Sequence, residues 1–107
     1  MKNLWLIDID GTICDDIPNE TPELFATAKP IPGALEKVSE LLMKGDRITF
    51  FTARTTEHAE VTEQWLQDHG FPYESVCYNK PRIVDGEIYH WVDNRDVTAT
   101  HVPEGLK

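Results

Sequence analysis

The chain alternates between short apolar runs and stretches with helical spacing. Leu4 to Asp10 (LWLIDID) stays apolar until it meets two acids, a pattern typical of strands in parallel sheets that are covered on both faces. Arg47 to Thr52 (RITFFT) is rich in β-branched and aromatic residues and predicts a second strand. We expect shorter strands over Ser75 to Tyr78 and Ile88 to Val92, and a fifth, at the edge, over Thr98 to Val102.

Two helices are predicted between these strands. The first opens at Pro32-Gly33 and ends near Gly45, and the second runs from about Glu57 to His69. Residues 13–30 are acidic and contain three prolines, so we interpret them as a short flap without a core of its own. The order of strands and helices predicts a right-handed, mostly parallel α/β sheet of four to five strands in a single domain, 1–107.

The composition limits the number of domains, the class of partner and the cellular compartment that we expect. A chain of 107 residues fits one core. The net charge is −9 with only ten Lys and Arg, which argues against an extended nucleic-acid partner. Two cysteines, Cys14 and Cys77, do not make a disulfide framework and indicate a reducing compartment. No stretch approaches the ~18 apolar residues of a membrane span, and no signal peptide is visible, so we expect a cytoplasmic protein.

Reactive side chains follow the predicted strands where each one ends. They are Asp8 and Asp10 after the first strand, Thr52 after the second, Lys80 after the third and Asp93 after the fourth. In open parallel sheets, ligands bind in the crevice beyond the carboxyl ends of the strands. We therefore expect these side chains to converge on one edge of the sheet.

The acid pair indicates the chemistry of that edge. Asp8 and Asp10 lie two residues apart in a strand, so both side chains leave on one side. Such close carboxylates repel each other unless a cation compensates, and Mg²⁺ with Asp93 as a third oxygen ligand suits the pair. Gly11 permits a sharp turn that brings amides towards an anion, and Lys80 adds positive charge. This set predicts a phosphoryl site with a carboxylate nucleophile.

Each residue also has a purely structural interpretation. The acid pair at Asp8 and Asp10 could be a solvated strand end, Thr52 could cap the next turn, and Lys80 could be an ordinary surface lysine. Arg54 either touches substrate or is surface charge. The ordered occurrence of all the motifs favours the functional interpretation.

Four segments together resemble the ordered motifs of the haloacid dehalogenase-like (HAD) superfamily. They are DIDGT from Asp8, FTAR containing Thr52, NKP containing Lys80, and WVDNRD containing Asp93. The resemblance implies a Rossmann-like, three-layer α/β/α fold and Mg²⁺-dependent phosphoryl transfer. It also implies that Asp8 is a nucleophile forming an aspartyl-phosphate, and that Asp10 protonates the leaving oxygen and later activates water. The aspartate at position 10 favours a phosphatase over a dehalogenase.

The same resemblance assigns the ligand-binding residues. Phosphate would be held by Thr52, Lys80, Gly11 and Ala53. The metal would be bound by Asp8, the main-chain carbonyl of Asp10, and Asp93. Where the family commonly has a second acid after the first, this chain has Asn94. Asn94 and Asp96 are therefore further candidates for the metal, and Arg54 is a further candidate for the substrate.

The spacing of the motifs leaves no room for a cap domain. The resemblance is to small capless phosphatases, which act on large substrates or use a neighbouring subunit as a lid. A homo-oligomer is therefore one possibility for this chain. We expect a phosphorylated small molecule, such as a sugar phosphate or nucleotide, or a phosphorylated polymer end. The alternatives are a phosphotransferase or mutase and a catalytically weak phosphate-binding module. Hydrolysis of an aryl phosphate with Mg²⁺ distinguishes them.

Overall fold

A computed structural model describes residues 2–107. Its sheet has three parallel strands in the order β1-β2-β3. The strands are β1 (Leu4–Ile7), β2 (Arg47–Phe51) and β3 (Ser75–Cys77). Helix α1 (Ala34–Met43) connects β1 to β2, and helix α2 (Ala59–Asp68) connects β2 to β3. The predicted α/β class with a parallel sheet is thus confirmed.

One face of the sheet carries the core. Trp5 pairs with Ile48 and Ile7 with Phe50, and paired residues of neighbouring parallel strands point to the same face. Both helices pack their apolar side chains into the same cluster. Their buried members are Ala34 and Val38 from α1 and Trp65 and Leu66 from α2. Burial of this face orients the sheet and fixes the loops that follow its strands.

The opposite face and the C-terminal segment differ from the prediction. Leu4 and Leu6 are 49% and 41% exposed, and within residues 2–107 no second helical layer covers them. Ile88–Val92 and Thr98–Val102 are not strands, so the sheet has three strands rather than four to five. Strand propensity takes effect only where a segment pairs with a neighbouring strand and packs against a surface, and residues 81–100 do neither, being exposed throughout.

The predicted flap, 13–30, is instead part of the core. It contains a 3-10 helix, Pro22–Thr27, and buries Phe25 and Ala28. The indole Nε1 of Trp65 in α2 donates a hydrogen bond of 2.9 Å to the Ala28 carbonyl. The stretch has no separate core, and its buried side chains join the core of the sheet, which its prolines and acidic composition did not indicate. No separate cap domain is present among residues 2–107.

The helices are short. None within residues 2–107 combines the length and the apolar character that a membrane crossing requires.

Candidate active site

Asp8 lies just beyond β1 beside a cation. The Nζ atom of Lys80 is 3.8 Å from Asp8 Oδ1, and the hydroxyl of Thr12 donates to Asp8 Oδ2 over 3.3 Å. The Asp8 side chain is 36% exposed and that of Lys80 18% exposed, so a ligand can reach both. The structure therefore brings together the two predicted residues with the most direct chemical roles.

Opposing effects act on the Asp8 carboxyl. Burial raises its pKa above the ordinary value, and the negative charge of Asp10 acts in the same direction. The Lys80 ammonium lowers the pKa, as do hydrogen bonds from the Ile9 amide and the Thr12 hydroxyl. Lys80 therefore stabilises the ionised form, which is the form a nucleophile needs.

The loop after β3 is attached to the loop after β2. The Lys80 amide donates to the Thr52 carbonyl, and the Asn79 amide donates to the Arg54 carbonyl, each over 2.9 Å. Asn79 has a φ of 63°, in the left-handed region that Asn tolerates better than most residues, and its side chain bonds Thr56. This turn brings Lys80 back towards Asp8. Asn79 was not predicted to have a role, although an Asn directly before the lysine is visible in the sequence.

Thr52 is fully buried at the end of β2. Its amide donates to the Cys77 carbonyl over 2.9 Å, and its hydroxyl oxygen accepts a 3.1 Å hydrogen bond from the Arg54 amide. The structural interpretation, a turn cap, is thus observed. The hydroxyl hydrogen takes no part in that bond, and the contact of Thr52 with a phosphoryl oxygen stays a prediction.

Arg54 is buried and forms an ion pair with Asp10. Arg54 Nε and Nη2 donate to the two carboxylate oxygens of Asp10 over 2.9 and 2.7 Å. The Arg54 side chain is 1% exposed, so it is not a surface charge. The surface-charge interpretation of Arg54 was therefore wrong, because spacing alone cannot show that an arginine faces the interior. Its contact with substrate stays a prediction.

The backbone amides of the turn at Gly11 form hydrogen bonds with carbonyls of the same turn. Gly11 has a φ of 78°, and its amide donates to the Cys14 carbonyl over 3.0 Å. The amides of Thr12 and Ile13 both donate to the Ile9 carbonyl. The predicted phosphate contact of Gly11 is therefore absent in this arrangement, since its N–H already has a partner. Gly11 instead supplies the positive φ that shapes the turn.

The turn after β2 is in contact with a side chain from residues 13–30. Ala53 lies between Thr52 and Arg54, and its carbonyl accepts a 2.8 Å hydrogen bond from the side-chain amide of Asn19. Residues 13–30 are thereby connected to the turn after β2.

Residues near the C-terminus contact the turn at Gly11. The Leu106 amide donates to the Thr12 carbonyl over 2.8 Å. Gly105 has a φ of 94°, and a Cβ there would collide with Ile31 and come within 3.2 Å of the Thr12 carbonyl. Only glycine fits this close approach. No role was predicted for these residues, because a contact so distant along the chain leaves no local pattern in the sequence.

Asp93 does not join the other two acids. Its carboxylate accepts hydrogen bonds from Trp91 Nε1 at 3.1 Å and from the Arg95 amide at 3.0 Å, which lower its pKa. Within residues 2–107 no group of three or more His, Cys, Asp or Glu side chains is placed to hold a metal. The predicted three-acid site is therefore not formed, because no fourth strand carries Asp93 to the edge. Asn94 and Asp96 lie on the same exposed segment.

Comparison with known families adds a further finding. A family model described as HAD superfamily, subfamily IIIB (Acid phosphatase), matches residues 1–83. This range covers the loops that carry Asp8, Thr52 and Lys80 and ends before Asp93.

Two curated proteins resemble parts of the chain. A "Putative nucleotidase" of Bacillus cereus is 42% identical over 48 residues, covering 45% of this chain and 25% of its own length. A "Putative 5'(3')-deoxyribonucleotidase" of Chlorobaculum tepidum is 35% identical over 74 residues, covering 63% of this chain and 37% of its own. This chain thus spans well under half the length of either relative.

A solved structure extends the likeness to the fold. The crystal structure of an MCSG target from Vibrio cholerae has a TM-score of 0.66 to this chain at 24% identity, covering 91% of this chain and 83% of its own. At that identity the likeness concerns the fold alone. Since the family match spans most of the sequence, the chain belongs to the HAD superfamily, in the subfamily IIIB family that is described as acid phosphatase.

Proposed function

We propose that this protein is a phosphoric monoester hydrolase in which Asp8 is the nucleophile. The observation that carries the proposal is the position of the Lys80 ammonium, 3.8 Å from a carboxylate oxygen of Asp8. A cation there stabilises the ionised nucleophile and attracts the anionic phosphoryl group. The family description, acid phosphatase, supports the same reaction class.

The first chemical step forms an aspartyl-phosphate. An oxygen of Asp8 attacks phosphorus while the bond from phosphorus to the ester oxygen breaks. Asp10 gives its proton to that leaving oxygen, which departs as an alcohol. Lys80 and the Thr52 hydroxyl hold the phosphoryl oxygens as their charge increases.

The second step releases phosphate. Asp10, now a carboxylate, takes a proton from water as the water oxygen attacks phosphorus. The bond from phosphorus to Asp8 breaks, and the Asp8 carboxylate is restored. The sum of the two steps is ester plus water to alcohol plus phosphate, with both aspartates returned to their initial states.

We propose Mg²⁺ as the cofactor, since the family is generally metal-dependent. Asp8, the main-chain carbonyl of Asp10, and Asp93 are the proposed ligands, and the ion would add positive charge beside the phosphoryl oxygens. The residues as arranged do not fit this site, because Asp93 lies outside it. Asp93 lies on the exposed segment 81–100, which would have to move towards Asp8 for Asp93 to bind the ion.

We propose a nucleoside monophosphate as the substrate, within the wider class of phosphorylated small molecules. The support is that the two curated relatives carry nucleotidase names. We also propose that the protein works in the cytoplasm, where its two free thiols, Cys14 and Cys77, stay reduced.

A second candidate is a phosphate-binding module with little catalytic activity. The specific observation in its favour is the incomplete acid set, since Asp93 is absent from the site. Such a module would bind phosphate without turning over an ester.

One experiment tests the proposed function. The protein is assayed with Mg²⁺ on p-nitrophenyl phosphate and on a nucleoside 5′-monophosphate, beside Asp8→Asn and a matched control, Asp68→Asn, which changes an exposed carboxylate of α2. We expect the parent and the control to hydrolyse both esters and Asp8→Asn to hydrolyse neither. An Asp8→Asn variant as active as the parent would remove the nucleophile assignment. A folded parent that binds phosphate but hydrolyses neither ester would favour the binding module.

A further inference from the structure

We propose that Arg54 is a positioning residue that holds Asp10 in the orientation needed for proton transfer. This inference rests on the proposed function, because it concerns the acid–base role of Asp10. It assigns Arg54 a part in the reaction through Asp10 rather than through any contact with substrate.

The geometry of the pair is the first support. Arg54 Nε lies 2.9 Å from Asp10 Oδ2, and Arg54 Nη2 lies 2.7 Å from Asp10 Oδ1. Two parallel charge-assisted hydrogen bonds fix both the position and the plane of a carboxylate. A single bond would leave the carboxylate free to rotate about χ2. Each of these bonds uses one lone pair of a carboxylate oxygen, so the other lone pair can still take up and release a proton. Asp10 therefore has one defined orientation at the end of the loop that carries Asp8.

The surroundings of Arg54 are the second support. Its guanidinium carbon lies 3.8 Å from the centroid of the Phe25 ring, and its Nη1 donates to the Thr62 hydroxyl over 3.0 Å. Phe25 and Thr62 are themselves buried. The guanidinium thus has a partner on its flat face as well as along its edges. Since these contacts prevent it from moving, the orientation they give to Asp10 is fixed as well.

The position of Arg54 in the chain is the third support. Its amide bonds the Thr52 hydroxyl, and its carbonyl accepts from the Asn79 amide, next to Lys80. One residue therefore connects the loops after β1, β2 and β3. A buried ion pair is seldom a net source of stability, which makes a geometric role the better explanation of this one.

The proposed role of Arg54 predicts a dependence of the rate on the leaving group that general damage to the fold would not produce. Protonation of the leaving oxygen matters most when that oxygen is strongly basic, as in an alkyl ester. It matters little for p-nitrophenolate, which leaves without a proton. Misplacing Asp10 should therefore slow hydrolysis of a nucleoside monophosphate much more than hydrolysis of p-nitrophenyl phosphate.

The experiment compares Arg54→Lys, Asp10→Asn and the double variant on both esters. Lysine keeps the charge but cannot make two parallel bonds to one carboxylate. Asp10→Asn should lower kcat on the nucleotide by about 10²–10⁴-fold, the usual contribution of a general acid. Arg54→Lys should lower that kcat by about tenfold or more, change kcat on the aryl ester by less than about threefold, and leave KM nearly unchanged.

The double variant tests whether Arg54 acts through Asp10. If it does, Arg54→Lys causes no further loss in the Asp10→Asn background. Arg47→Met is the matched control, because Arg47 pairs with Glu74 at the exposed start of β2 and should leave both rates unchanged.

Three results would overturn the role of Arg54: an equal loss on both esters, no loss on either ester, or a full additional loss in the double variant. If Arg54→Lys fails to fold, Thr62→Val removes one contact of the guanidinium and keeps the side-chain shape. Thr62→Val should lower kcat on the nucleotide by a smaller factor than expected for Arg54→Lys, and should change kcat on the aryl ester less than that. An equal decrease in kcat on both esters would again overturn the role. A parent protein inactive on both esters would overturn the proposed function itself, which separates the two failures.

Discussion

Lys80 and Asp8 meet at the edge of the sheet, with 3.8 Å between Nζ and Oδ1, although they follow different strands. This distance is longer than a charge-assisted hydrogen bond, so the ammonium hydrogens are not committed to the carboxylate. Lys80 also lies 4.8 Å from the ring centroid of Tyr89, which helps to orient it. The lysine is therefore placed to hold both the nucleophile and a phosphoryl oxygen.

Replacement of Lys80 tests this placement. Lys80→Met should lower kcat/KM on p-nitrophenyl phosphate by roughly 10²-fold or more, the usual effect of removing one group that stabilises transition-state charge. Arg82→Met is the matched control, since Arg82 is an exposed cation two residues away that pairs with Glu20. We expect the control to keep its activity in steady-state assays. Equal activity of Lys80→Met and the parent would show that the ammonium takes no part.

The proposed third metal ligand gives a separate prediction. Asp93→Asn should raise the Mg²⁺ concentration for half-maximal activity by at least about tenfold, because a direct ligand is lost. The fold should be unaffected, since Asp93 is exposed and its side chain bonds residues of its own segment, Trp91 and Arg95 among them. Activity is measured against Mg²⁺ concentration, with Asp96→Asn as the comparison, for which we expect a smaller shift. An unchanged Mg²⁺ requirement in Asp93→Asn would remove this residue from the site.

Stability at acidic pH depends on Asp46. Hydrogen bonds from the Trp5 indole (2.9 Å) and the Asn3 amide (3.0 Å) hold the pKa of Asp46 below its ordinary value of 3.8. A lowered pKa in the folded state gives stability that is present above the ordinary pKa. That stability is lost as the pH falls through the lowered value.

Asp46→Asn should therefore unfold at a lower temperature than the parent at pH 7, and the difference should shrink as the pH falls below about 4. Thermal unfolding followed by circular dichroism at several pH values measures it. Asp68→Asn, which changes an exposed carboxylate, should stay close to the parent at every pH. A difference for Asp46→Asn that is the same at all pH values would contradict the role of its charge.

The sequence predicted the parts of the fold that depend on local patterns. Runs of apolar residues identified the three strands, and helical spacing identified α1 and α2 to within a few residues. The positions of Asp8 and Lys80 followed from the rule that parallel strands share a carboxyl edge.

What could not be predicted depends on distant contacts. Ile88–Val92 has strand-like composition, yet its structure depends on whether another strand offers an edge. Arg54 looked like a surface residue because its partners, Asp10 and Thr62, lie in other segments of the chain. The sequence also could not show that the amide of Gly11 donates a hydrogen bond within the turn, since its partner depends on the shape of the turn.

The role of Asp8 as the nucleophile is tested by a search for phosphate covalently bound to this residue. The protein is mixed with a substrate carrying labelled phosphate, stopped with acid within one turnover, and digested for mass spectrometry. We expect a hydroxylamine-sensitive acyl phosphate on the peptide that contains Asp8, and none in Asp8→Asn. Turnover with the label on another residue, or turnover by Asp8→Asn, would contradict it.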